Sequence, residues 1–360
     1  MKFTQTENRG GEGTVYALKS LYESYGYTQY KMSKFEEYEL YVRNKSFLVS
    51  DHIITFTDVG GSLMALKPDV TLSIVKNSPE SEQGVRKVYY NENVYRVPKG
   101  ALSFKEIMQA GLECIGEIDK YLVAEVLTLA RKSLESVSED YVLDVSHMGI
   151  ISALVDETGL SARGKEALID CIGEKNIHGI DALCRAEGKD AETIKRLISM
   201  KGTSEEMLEI LKDTSCYEDA LLLAEILSAV GGRVRIDFSV TDDTSYYSGI
   251  VFKGFVKGIP TSVLSGGRYD KLMRKMGKAS GAIGFAVYLD LLGELKTEMK
   301  EYDGDVLILY DDKTDAKKLL RLTDALTDEG KSVSTRKTVP ERLKYRETID
   351  MREGENNGNA

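Results

Sequence analysis

The chain has 360 residues, a net charge of −10, a pI near 5.1, 42% hydrophobic and 29% charged residues. Those values fit a soluble globular chain of two or three domains with a large core. The acidic balance gives no general field for a phosphate backbone, which disfavours a dedicated nucleic-acid binder. No apolar run approaches the roughly 20 residues that span a bilayer.

In chain order, Leu18, Leu21, Tyr22 and Tyr25 predict a helix over 13–25, stopped by Gly26. A strand is expected over 27–32. Ile53 to Thr57 and Leu63 to Leu66 are short β-prone runs separated by Gly60-Gly61, which reads as a hairpin. Residues 86–96 are rich in Tyr and Val and predict a strand, with 112–115 as its partner. Leu122, Val123, Val126, Leu129, Ala130 and Leu134 form one stripe of an amphipathic helix over 121–137.

From Ile151 to Val230 the sequence contains no proline, repeats Ala, Leu, Glu and Lys at helical spacing, and breaks near Gly159, Gly188 and Gly202. An all-helical insert is predicted there. β-prone sequence resumes at 233–240 and 250–256, and a helix is expected over 286–295. The last section reads β-α-β over 306–310, 316–326 and 331–335. The polar, Gly/Asn-rich end from Met351 is expected to fray.

The chain has no Walker A loop, HExxH zinc site or GxSxG elbow. Cys114, Cys171, Cys184 and Cys216 lack metal-ligand spacing. They read as small buried residues kept reduced in a cytoplasm, because no signal-peptide core follows Met1-Lys2. His52, His147 and His178 have no cysteine or carboxylate at ligand spacing and read as surface or core-edge residues. No metal or cofactor is expected.

Four blocks carry more information. They are Ala65-Leu-Lys-Pro-Asp-Val-Thr71; Tyr95-Arg96 followed by Glu106-Ile-Met-Gln-Ala-Gly-Leu-Glu113; Tyr246-Tyr-Ser-Gly-Ile-Val-Phe252; and Ser265-Gly-Gly-Arg-Tyr-Asp270. Their order and content resemble the class II synthetase-like family around histidyl-tRNA synthetase. The segment from Gly281 to Gly293 resembles that family's nucleotide-binding helix. The resemblance implies an α+β fold, a class II aminoacyl-tRNA synthetase-like antiparallel sheet flanked by helices, built from 1–150 and 232–300. Residues 151–231 would be a helical insertion. Residues 301–360 would be a truncated C-terminal α/β segment, like the start of an anticodon-binding domain, with a frayed tail.

Carried over residue by residue, the resemblance implies a histidine pocket. Asp69 and Thr71 would hold the α-ammonium group, with Gln109 alongside. Glu113 and Tyr246 would grip the imidazole, with Tyr247 next to them. Arg96, Gly266, Gly267 and Tyr269 would shape the walls. The same residues also read as sheet packing, since tyrosine and glycine are common in such loops.

The catalytic half departs from the family pattern. Asp242 stands where a catalytic arginine precedes the Tyr-Tyr pair, Pro98 where the second motif has its glutamate, and Leu291, after Asp290, where an arginine clamps ATP. Ser33 replaces the first motif's usual proline. The branch with these properties resembles the regulatory subunits of ATP phosphoribosyltransferase, the first enzyme of histidine biosynthesis. That branch implies a non-catalytic partner of a short-form catalytic subunit, with L-histidine as effector. It also implies a self-dimer within a hetero-octamer, and no tRNA or membrane. Two alternatives stay open: a divergent amino-acid-activating enzyme and a stand-alone histidine-sensing module.

Overall fold

The computed structural model describes residues 11–48, 52–78, 84–97, 103–241, 247–293 and 302–352. The chain divides into two compact units, 1–295 and 296–360. The first begins with α1 (Gly11–Ser24), β1 (Thr28–Gln29), β2 (Phe35–Glu37), α2 (Tyr38–Arg43), β3 (Thr55–Thr57), β4 (Leu63–Leu66) and α3 (Thr71–Lys76). The long hairpin β5 (Arg86–Arg96) and β6 (Lys105–Gly116) follows, then α4 (Lys120–Val137) and β7 (Tyr141–His147). Six helices come next: α5 (Met148–Glu157), α6 (Ala162–Gly173), α7 (Ile177–Glu187), α8 (Glu192–Ser199), α9 (Ser204–Leu211) and α10 (Tyr217–Val230). The unit closes with β8 (Val234–Ile236), β9 (Ile250–Val256), β10 (Leu264–Arg268), α11 (Asp270–Lys275), β11 (Gly281–Tyr288) and α12 (Leu289–Leu292).

Eight strands make one sheet in the order β1-β5-β6-β11-β10-β9-β7-β8. The inner pairings are antiparallel, as expected, while β1 and β8 are each added parallel at an edge. α1 and α4 cover one face, where Leu18, Tyr22, Val126 and Leu129 pack with Leu112 and Phe285. Asp119 starts α4 by accepting from the Leu122 amide at 2.8 Å, an ordinary N-cap. Toward β5 the other face carries a second core, in which Val88, Tyr90 and Ile115 meet Leu72 of α3 and Leu272 of α11.

The predicted hairpin is present as β3 and β4. Asp58 Oδ1 accepts from the amides of Gly60 and Ser62, each at 2.8 Å, and Gly61 adopts φ +85°. The stretch between β7 and β8 is helical throughout its regular elements, with side-chain caps from Ser161, Asn176 and Thr203. Its buried residues join the same core as the sheet.

Three expectations need correction. The helix predicted over 286–295 is a strand as far as Tyr288, followed by the four-residue α12; residues from 294 lie outside those described. β11 sits between β6 and β10 and is buried on both faces, so its apolar residues run nearly continuously and periodicity cannot separate strand from helix. For the same reason β7, buried between β9 and β8, has no signature in the sequence reading. In the second unit, β12 (Gly304–Leu309), α13 (Ala316–Asp328) and β13 (Val333–Arg336) match the predicted β-α-β. A further strand, β14 (Tyr345–Asp350), pairs parallel with β12. Its largely exposed, polar residues conceal it. Val306, Ile308 and Leu326 form this unit's core.

Candidate functional site

Strand alternation sends Gln109, Gly111 and Glu113 of β6 to one face of the sheet and Ala110, Leu112 and Cys114 to the other. The register sets Gly111 opposite Tyr90, Glu113 opposite Gly284, and Gly284 opposite Gly267. A floor of glycines therefore crosses adjoining strands. A Cβ on Gly111 would lie 2.5 Å from the Tyr90 hydroxyl, one on Gly284 1.8 Å from Glu113 Oε2, and one on Gly267 2.6 Å from the Tyr247 ring. Each glycine lets a large polar side chain lie flat against the strands.

Glu113 is the centre of this face and only 2% exposed. Thr71, in the first turn of α3, donates Oγ1–H to Oε1 at 2.7 Å. Tyr269, just ahead of α11, donates its hydroxyl to Oε2 at 2.5 Å. Burial pushes the Glu113 carboxyl up to about 8; the two hydroxyl bonds oppose that shift and the Asp69 charge adds to it. Asp69 is also raised by burial, against bonds from the Leu72 and Thr71 amides and the charge of Arg96. Gln109 is buried, and among the described residues its amide forms no hydrogen bond. The neighbouring Glu92, on the same face of β5, is ion-paired to the buried Lys67.

The structure thus brings Asp69, Thr71, Arg96, Gln109, Glu113 and Tyr269 to one side of the sheet. Two wall assignments change. Tyr269 is a hydrogen-bond donor inside the site and not a wall. Gly266 faces the opposite side: its absent Cβ would meet Phe285 and Phe252 in the helix-packed core, as the two-residue period of β10 requires. Gly267 remains on the site face against Tyr247. Tyr246, Asp242 and Pro98 lie outside the described residues.

Leu291, in the expected arginine position, is half-buried against the main apolar core. Asp290 beside it accepts from the Met108 amide at 3.1 Å. The sequence reading missed Tyr90, although its even spacing from Arg96 along one strand places both on the site face. Among the described residues no group of His, Cys, Asp and Glu is placed to hold a metal ion, and no helix is long and apolar enough to cross a membrane.

A mixed sheet, antiparallel through its interior, with a buried carboxylate over a glycine floor and helices behind, defines a class II aminoacyl-tRNA synthetase-like fold. The family profile described as histidyl-tRNA synthetase matches residues 5–292. An ATP phosphoribosyltransferase regulatory subunit from Caldanaerobacter subterraneus is 30% identical over 289 residues, 76% of this chain and 75% of that one. A histidine–tRNA ligase from Methanocaldococcus jannaschii is 28% identical, covering 88% of this chain and 79% of its own. Among solved structures, an ATP phosphoribosyltransferase regulatory subunit/histidyl-tRNA synthetase from Bacillus halodurans superposes with TM-score 0.78 at 20% identity, covering 99% of each chain. An ATP phosphoribosyl transferase complex from Thermotoga maritima contains a chain with TM-score 0.62 at 19% identity, covering 78% of this chain and 97% of that one. The chain belongs to the histidyl-tRNA synthetase family and, within it, to the ATP phosphoribosyltransferase regulatory subunits.

Proposed function

We propose that this chain is non-catalytic, joins a short-form ATP phosphoribosyltransferase catalytic subunit, sustains its activity and confers feedback inhibition by L-histidine. The asymmetry of the site carries this reading. Asp69, Thr71, Gln109 and Glu113 make an acid-rich, buried half suited to an ammonium group and a ring N–H, where charge-assisted bonds are strong. The position of the ATP-clamping arginine holds Leu291, which packs into the core. Amino-acid activation needs preorganised cations for the charge that develops on phosphate, and loss of one such contact costs about 3–4 kcal/mol. The names of the Caldanaerobacter relative and of the Thermotoga complex support the choice of partner.

Histidine would act by binding one state of the complex better than another, since an effector shifts only an equilibrium it binds differentially. Substrates that favour the active state would then weaken histidine binding by the same factor. Phe35 and Phe56 are exposed on the small sheet β2-β4-β3, stacked edge to face at 5.5 Å. They supply an apolar surface for self-dimerisation within a hetero-octamer. A cytoplasmic setting belongs to the same reading.

The test is size-exclusion chromatography of this chain mixed with a short-form catalytic subunit, then initial rates with and without histidine. A stable hetero-oligomer, a raised rate and inhibition by histidine are expected. Separate elution at micromolar concentration with no change in rate would leave the stand-alone sensor. The Methanocaldococcus relative favours a second reading, a histidine-activating enzyme. ATP–pyrophosphate exchange decides between them: none is expected, and enzyme-like turnover would replace the regulatory assignment.

A further inference from the structure

At the end of the central sheet where β7 begins and β9 finishes, the strand pair opens into a groove of about 370 Å³. Its floor is set by register: Val142 lies opposite Phe255, and both are only half-buried. The next pair, Tyr141 and Val256, turns to the other side of the sheet and is buried in the main core. The rim is charged. Arg233, just ahead of β8, and Lys257, just after β9, both donate to Asp140, at 3.2 and 3.3 Å. Arg233 also lies over the Tyr141 ring, 5.9 Å from its centroid, which holds the guanidinium beside the groove.

A guanidinium and an ammonium carry more N–H donors than one carboxylate uses. The lining is therefore net positive in a chain whose net charge is −10. All three charged side chains are more than half exposed. Exposed ion pairs add little to stability, so the fold alone gives weak reason to set two cations beside exposed apolar surface. The groove is shallow, and a free small molecule would stay largely in water there, unlike the ligand of an enclosing pocket. A side chain presented by a folded partner suits it, since interface anchors are apolar groups seated in a pocket with a polar rim. We propose that this groove is a docking point for the catalytic subunit, taking an apolar side chain of that partner on the Val142–Phe255 floor and a neighbouring carboxylate against Arg233 and Lys257. The inference rests on the reading that the chain joins such a subunit, and adds where the two meet and by what chemistry. A groove of this size is one anchor within an interface of about 1,600 Å².

The experiment measures binding of a short-form ATP phosphoribosyltransferase catalytic subunit to the full-length chain by biolayer interferometry at low and high salt, with melting temperatures alongside. Arg233→Glu with Lys257→Glu reverses the rim and should weaken association about 10- to 100-fold, mostly in the on-rate and less at high salt. The milder pair Arg233→Gln with Lys257→Gln should weaken it about 3- to 10-fold with little change in melting temperature. Asp140→Asn leaves both cations unopposed and should tighten association about 2- to 5-fold at low salt. Either double variant binding the subunit as the wild type does, or Asp140→Asn binding it more weakly, overturns the groove and leaves the assembly reading intact. A wild-type chain that does not bind the subunit at micromolar concentration removes the assembly reading and this inference together.

Discussion

The two faces of the central sheet are made from alternate residues of the same strands, yet they are built to different rules. Toward α1 and α4, Leu112, Phe285 and Phe252 are buried among aliphatic and aromatic side chains. Several buried polar groups on that side are paired within the protein, Tyr22 with Ser133 and Glu125 with both Tyr27 and Lys87, while Asn91 Oδ1 and Arg131 Nε have no partner among the described residues. Toward α3 and α11, one residue along, a carboxylate sits at the centre with no cation in contact. The two faces differ in the chemistry at their centres: an aliphatic and aromatic core on one, and on the other a buried carboxylate held by two hydroxyls.

The largest effect should come from breaking the apolar face. Leu112→Ala removes a fully buried side chain beneath α4 and should lower stability by about 2–5 kcal/mol in denaturant melts. Histidine affinity, measured at low temperature where the variant is folded, should change little.

Gly284 lies on the carboxylate face, opposite Glu113, and its substitution sharpens the contrast. In Gly284→Ala the new Cβ meets Glu113 Oε2 at 1.8 Å and the Leu112 carbonyl oxygen at 2.4 Å. Overpacking should cost about 1–3 kcal/mol. Because the carboxylate must move, histidine affinity should fall with stability, which separates this variant from Leu112→Ala.

Glu113 makes a third test through pH. Burial raises its pKa from 4.5 to about 8 in the folded chain. The folded state therefore holds the proton more tightly than the unfolded state. Its stabilising contribution is full below pH 4.5 and is lost as pH rises through 8, with a slope of at most ~1.4 kcal/mol per pH unit. Glu113→Gln should flatten the decline of the urea midpoint between about pH 5 and 8 relative to the wild type. Replacement by alanine should weaken histidine binding more than tenfold, about 1.5–3 kcal/mol. A Glu113→Ala protein that binds normally and melts much lower would make the carboxylate structural.

The smallest effect lies at the far end of the sheet. His147 Nδ1 accepts from the Ile150 amide at 3.2 Å and caps α5, which requires an unprotonated nitrogen. Burial lowers its pKa below 6.5; Asp219 opposes the shift and Arg268 adds to it. A depressed histidine pKa stabilises the fold above pH 6.5, and that contribution is lost as pH falls below it. His147→Asn keeps a capping oxygen and should remove the acid sensitivity at a cost of no more than about 1 kcal/mol.

The sequence by itself determined the elements whose causes are local. Helices α4 to α10 follow from apolar periodicity, capping side chains and glycine breaks. The β3-β4 hairpin follows from Asp58 and the Gly60-Gly61 pair. The segments around Asp69-Val-Thr71 and Gln109-Ala-Gly-Leu-Glu113 pointed to the site before any geometry was known. Tertiary structure decided the rest. β11 is a strand because β6 and β10 bond it on both sides, although its apolar run suits a helix. Gly266 faces the core and Gly267 the site, a distinction set by register. The protonation of Glu113 depends on Thr71 and Tyr269, 42 and 156 residues away along the chain. Capping and periodicity act within a few residues and can be read in order; burial, register and the field at a carboxylate are sums over neighbours that only the folded chain brings together.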